Sequence, residues 1–324
     1  MANAEEIALG RKAGRPWHIP RRGWWMVLKR VWKEQGDDHV GLIAAGCAFY
    51  GLLALFPAIA AAIAIWGLVA DPGQIVQQID GLTDTLPPEA AAIIHEQANA
   101  AAANDGGALL TALLSILVGV YSASKGIKSL TEGLNIAYDQ GEGRGFLKQT
   151  ILNLSLTLGA VVGLVMAVLL IVVVPVTLAF VGLPSEAEWF GQVLRWIVLI
   201  GGALLTFGVL YRVGPNRASA SWHWVTPGSL LAVVLWVGGS GVFSLYVAKL
   251  ASYDSTYGAL GSVVVLLMWL WLTAFAILLG AELNCELERQ TRADTTTGPE
   301  RPMGERGAYA ADTVAGVPAE AATG

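Results

Sequence analysis

The sequence predicts an all-α, polytopic membrane protein: six transmembrane helices preceded by an amphipathic helix lying in the membrane interface. Three observations predict it. The 324 residues are 55% hydrophobic and only 14% charged, where a soluble domain carries about 25% charge. Long apolar runs recur, and the last, Ala259 to Ala281, holds 23 residues without a charge. At ~1.5 Å per residue such a helix crosses a hydrocarbon core of ~30 Å. Finally, Lys and Arg are distributed unevenly among the connections, as the positive-inside rule requires of six spans with both termini in the cytoplasm.

Residues 1–40 read as a cytoplasmic arm and the interfacial helix, with no secretory signal. In RGWWMVLKRVWKEQGDD, Trp24, Trp25, Leu28, Val31 and Trp32 recur at helical spacing, and Lys29, Arg30 and Lys33 fall largely on the other side. A basic, Trp-rich amphipathic helix of this kind lies on a membrane surface. The transmembrane domain is expected over 41–288. Its first span, Gly41 to Ala70, carries small residues at three- and four-residue intervals, which permits close helix approach. Pro57 in mid-span frees a backbone carbonyl and predicts a kink.

Residues 71–107 hold six acidic residues and no Lys or Arg, and are expected to form a small helical cap outside the membrane. The second span begins near Ala108 and continues past the membrane through YSASKGIKSLTEGLNIAYD. The third, fourth and fifth are expected over 151–181, 190–211 and 225–250, and the sixth ends in GAELNCELE. Residues 289–324, rich in Thr, Gly, Ala and Pro, read as a disordered cytoplasmic tail.

The topology accounts for the basic residues. The arm has eight, the second connection has Lys125, Lys128, Arg144 and Lys148, the fourth has Arg212 and Arg217, and the tail has four more. The first and third connections have none. Cys47 and Cys285 each sit in or beside an apolar run and read as packing residues. The histidines, His18, His39, His95 and His223, are scattered. No phosphate loop, dinucleotide glycine pattern, zinc spacing or nucleophile elbow is present. The sequence therefore calls for no cofactor, no metal, no ATPase and no nucleic-acid partner.

Several blocks, in order, resemble the YihY/BrkB family of bacterial inner-membrane proteins. They are HVGLIAAGCAFYGLLALFP (39–57), YSASKGIKSLTEGLNIAY (121–138), LYRVGPNR (210–217), TPGSLLAVVLW (226–236), FSLYVAKLASYDSTYGALGSVV (243–264) and LLGAELNCELE (278–288). The resemblance covers roughly residues 24–290. Lys125 departs from it, standing where a small or apolar residue is expected. The resemblance implies a six-spanning plasma-membrane protein of the cell envelope, from a family associated with envelope or lipid-related transport in which members were once called ribonuclease BN. The scattered histidines argue against a metal nuclease, which needs clustered ligands.

Polar groups inside or at the edge of a membrane are candidate sites, because burying them without partners is costly. Glu282 is the first, expected to pair with Arg212 or Lys128 and close the bundle at its cytoplasmic face. Tyr121, Ser124 and Lys128 fall on roughly one face of the second helix, with Asn135 further along. Tyr50 and Pro57 lie deeper in the first span. This set is a candidate cavity or gate, and Tyr246, Tyr253, Asp254 and Tyr257 a candidate outer mouth. Arg195 is expected to snorkel or to pair with Glu186 or Glu188.

Two functions are open from sequence. One is movement or handling of a lipid or other amphipathic envelope component, with membrane lipids as partners; the other is a non-transporting envelope scaffold. Static ion pairs and interfacial belt tyrosines explain the same residues without a site.

Overall fold

A computed structural model describes residues 2–69, 108–173, 185–250 and 254–317. The expected cap at 71–107 and Tyr253 lie outside them. The apolar runs form helices because only a helix satisfies every backbone donor and acceptor within its own segment. In chain order they are α1 (Ala2–Leu9), α2 (Arg21–Asp37), α3 (Val40–Val69), α4 (Ala108–Ala137), α5 (Phe146–Val168), α6 (Ser185–Val213), α7 (Trp222–Leu250), α8 (Asp254–Glu288) and the short α9 (Tyr309–Asp312). A π-helical turn, Leu169–Val173, extends α5.

Four segments are long and apolar enough to cross a membrane: Phe146–Ile171, Trp189–Val213, Trp222–Val247 and Val263–Glu288. A fifth follows if α2 and α3, which meet at a 60° bend, are counted as one broken span. At that bend His39 adopts φ 54°, a left-handed conformation that breaks the helix without a glycine.

The starts of α3 and α7 and the ends of α4, α6 and α8 meet at one end of the bundle, together with the N-terminal arm and the C-terminal tail. We call this the terminal end. The buried core sits there, built from Val40 and Ala44, Leu130 and Leu134, Leu210 and Tyr211, Val225 and Ala232, and Leu278 and Ala281. α8 is the hub, packing on α2, α3, α4 and α7. Trp indole N–H groups stitch it to its neighbours, from Trp271 to Gly41 O (2.9 Å), from Trp269 to Ser240 Oγ (3.1 Å) and from Trp236 to Thr273 Oγ1 (3.1 Å).

Two expectations need correction. The stretch after Glu288 is packed from 289 to 317 rather than disordered. Its apolar content is low, but it satisfies its backbone against other segments. Ser221 N–H donates to Thr295 O (2.9 Å) and Thr297 N–H to Ser219 O (2.9 Å). The N-terminal arm closes over it: Gln290 Nε2 donates to Leu9 O (2.7 Å), Thr291 Oγ1 to Ala13 O (2.8 Å), and Arg11 to Ala315 O (2.5 Å).

The apolar side of α2 also divides differently. Gly23, Val27 and Val31 are buried, the two valines with Leu283, Leu287 and Trp224, whereas Trp25, Leu28 and Trp32 are exposed. Arg30, expected on the opposite, charged side, turns inward and binds Glu286.

Candidate functional site

The last turns of α8 carry alternating polar residues, Glu282, Asn284, Glu286, Glu288 and then Gln290, all nearly fully buried. Residues four apart share a helix face, so the row divides into two faces with different tasks.

Asn284 and Glu288 face α7 and the α6–α7 connection. Asn284 Oδ1 accepts from Gly228 N–H (2.7 Å), and its Nδ2 donates to Val225 O (3.3 Å). This is possible because two glycines let the backbones touch. A Cβ on Gly228 would overlap Gly280 O, and one on Gly280 would overlap Gly228 O and the Tyr211 hydroxyl. That hydroxyl donates to Ile277 O (2.8 Å). Glu288 takes a two-pronged ion pair from Arg217 (2.9 and 2.6 Å) and a third bond from Thr295 Oγ1 (2.5 Å). Arg217 also lies over the Tyr138 ring at 4.9 Å. A buried charge pair persists only when its remaining hydrogen-bonding capacity is satisfied in this way.

Glu282 and Glu286 face α2 and Asp139, two residues past the end of α4. Glu286 is bound by Arg30 and by Arg289 (2.5 Å), and Arg289 also reaches Asp139 (3.7 Å). Glu282 is 2% exposed. Its Oε1 has no hydrogen-bond partner, and its carboxyl lies against that of Asp38, in the bend between α2 and α3. Burial pushes the Asp38 carboxyl up, and contact with Glu282 partly offsets it. Burial likewise raises Asp139, against the pull of Arg289.

The expected pairing of Glu282 is therefore not formed. Arg212 donates to Ala220 O (2.9 Å) and lies over the Trp222 ring, and Lys128 pairs with Glu132 one turn along α4 (3.6 Å). Asn135 joins a neighbouring network, accepting from Asn216 N–H (2.7 Å) and donating to Glu142 (3.0 Å). Glu142 is held by Arg144 (2.8 and 2.6 Å), which lowers its carboxyl to about 2.

The other candidates stand apart from this site. Tyr121 is exposed on α4, with Lys125 over its ring and Ser124 bonded to its carbonyl (2.6 Å). Tyr50 and Tyr246 are exposed, and Tyr246 stacks on Phe243. Pro57 lies within α3, and Asp254 and Tyr257 in the first turn of α8; their side chains lie outside the described residues. Arg195 donates weakly to Ile171 O (3.4 Å).

Sequence reasoning missed Asp38, Gly228 and Arg217 as parts of the site. The signal for Gly228 and Arg217 was their place in two of the quoted blocks; Asp38 sits just before the first.

Most of the chain, this end included, is matched by known proteins. The family model described as "Virulence factor BrkB" matches residues 31–304. The chain belongs to this family. Among relatives, a Bacillus subtilis protein named as ribonuclease-like, YfkH, is 31% identical over 258 residues, covering 77% of this chain and 90% of its own length. A UPF0761 membrane protein of Alteromonas mediterranea is 27% identical over 261 residues (79% of this chain, 85% of that one). Another, of Pseudoalteromonas translucida, is 27% identical over 284 residues (84% and 88%). No solved structure matches. The matched range takes in Asp38, Gly228, Glu282, Asn284, Glu286 and Glu288.

Proposed function

We propose that this family member is a six-span protein of the bacterial inner membrane, with both termini in the cytoplasm. On this reading it moves or handles a lipid or other amphipathic envelope component without an ATPase of its own. One observation carries it: the uneven packing along the bundle. The terminal end is closed by buried core and fixed polar bonds. Towards the far side, Val161, Val162 and Leu164 of α5, Trp196 and Ile197 of α6, and Val242 and Leu245 of α7 are exposed. Gly159, Gly163, Gly201, Gly202, Gly238 and Gly241 there would give a Cβ nothing to touch within 4 Å. A bundle sealed at one end, with apolar and open helix faces at the other, suits a ligand with acyl chains. The polar end of α8 is then the cytoplasmic gate.

The ribonuclease wording belongs to one relative's name. Metal-assisted hydrolysis needs clustered ligands, and among the described residues no three His, Cys, Asp or Glu could hold a metal ion.

A scaffold role is the second reading, favoured by the buried Arg217–Glu288 pair, whose bonds suit a fixed joint. Reconstitution separates the two. In proteoliposomes with a fluorescent phospholipid, transport predicts faster exchange between leaflets than in protein-free vesicles or vesicles holding an unrelated helical protein. Equal rates in all three support the scaffold.

A further inference from the structure

The polar end of α8 has fewer cations than carboxylates, and the deficit falls at one place. Arg30 and Arg289 face this region, and both bind Glu286, with Arg289 also reaching Asp139. Lys33 is held by Asp37 (3.0 Å). Glu282 and Asp38 are left to face one another. Around them stand Asp37 and Glu34 of α2, Asp139 beyond α4, and Glu286 of α8, all acidic. His39 is exposed and turns its Nδ1 to Asp37 O (2.7 Å). The nearby thiol and phenols, Cys285, Tyr138 and Tyr309, supply no positive charge.

Two carboxyls this close cannot both be ionised without a large penalty when one of them, Glu282, is 2% exposed and has no cation on it, since neither then has a proton to donate and their charges repel. We infer that Asp38 and Glu282 form a proton-binding site in which one shared proton holds the α2–α3 bend against α8. The unpartnered Oε1 of Glu282, buried among other carboxylates, marks the atom that loses most if the proton leaves. When it goes to water, two like charges face each other across the joint, and the bend is the place that can give. There α2 and α3 are continuous only through Asp38 and His39. The raised Asp38 carboxyl agrees with this placement. The inference holds whatever the bundle carries.

The sign follows from proton counting. The folded pair keeps one proton that the unfolded chain loses above its ordinary carboxyl range, about 4. Attachment of the bend therefore weakens as pH rises, by about tenfold per unit while the extra proton is retained.

Infrared difference spectra of the full-length protein in bilayers test it. The wild type is expected to show a protonated-carboxyl C=O band at neutral pH that vanishes at alkaline pH, Glu282→Gln to remove it, and Asp38→Asn to keep it but to let it vanish at a lower pH. Glu142→Gln, altering a carboxylate outside the pair, is expected to leave it unchanged. Absence of the band in the wild type, its survival in Glu282→Gln, or an unchanged titration in Asp38→Asn overturns the proposal; the wild-type titration decides even if a variant fails to fold. Amide protection factors over residues 36–43 read the bend. They are expected to fall as the band is lost in wild type and to stay level in Glu282→Gln. Level protection in the wild type overturns the coupling.

Discussion

The two ends of the bundle are stabilised by different means. At the terminal end, buried polar groups take specific partners, as Asn284 does on the α7 backbone and Glu288 on Arg217 and Thr295, with Glu282 Oε1 an exception. In the far halves of α5, α6 and α7 the faces are apolar and exposed, and lipid can cover them with little preference for one side chain over another. The same chain thus has one end where substitutions are costly and another where they are tolerated.

The sharpest way to break this contrast is at the buried ion pair. Glu288→Gln leaves the Arg217 charge without its partner and is expected to destabilise the protein by about 3–5 kcal/mol, read as a lower unfolding midpoint of the purified protein. Next comes the glycine crossing. Gly228→Ala forces α7 from α8, at a cost of about 1–3 kcal/mol or more, read by the same melt and by looser packing at Trp224 in fluorescence. Asn284→Ala strands the Gly228 N–H and is expected to cost about 1–3 kcal/mol.

The Glu142–Arg144 pair is partly solvated, so its effect is smaller, below about 1 kcal/mol. Arg144 holds the Glu142 carboxyl at about 2, so its contribution is present above the ordinary carboxyl range of about 4.3. It fades as pH falls towards 2. An unfolding series in pH is expected to show Glu142→Gln less stable than wild type at neutral pH and equal to it at the acid limit. The smallest effect is expected in the far half, where Leu245→Ala shifts stability by about 0.5 kcal/mol or less. A loss there as large as at Glu288 would remove the distinction between the ends.

Much of the helix order was legible because spanning runs announce themselves in composition, and Glu282 stood out as the first charge after 23 uncharged residues. Its partner was not legible. Sequence reasoning pairs opposite charges, whereas Asp38 carries the same sign and reaches Glu282 only because α2 and α3 bend between them. Arg217 was read as topology, although its guanidinium is buried on Glu288. Low hydrophobicity in the stretch after Glu288 predicts a lack of structure that 289–317 do not show. Thr291 and Thr295 instead order it through hydroxyl bonds, which hydropathy does not register.

The closing of the N-terminal arm over the C-terminal stretch fixes an order of events during synthesis. Leu9, Ala13 and Arg11 take their partners from Gln290, Thr291 and Ala315, residues made long after them. The arm must wait with that surface uncovered until every spanning helix between the two segments has been made.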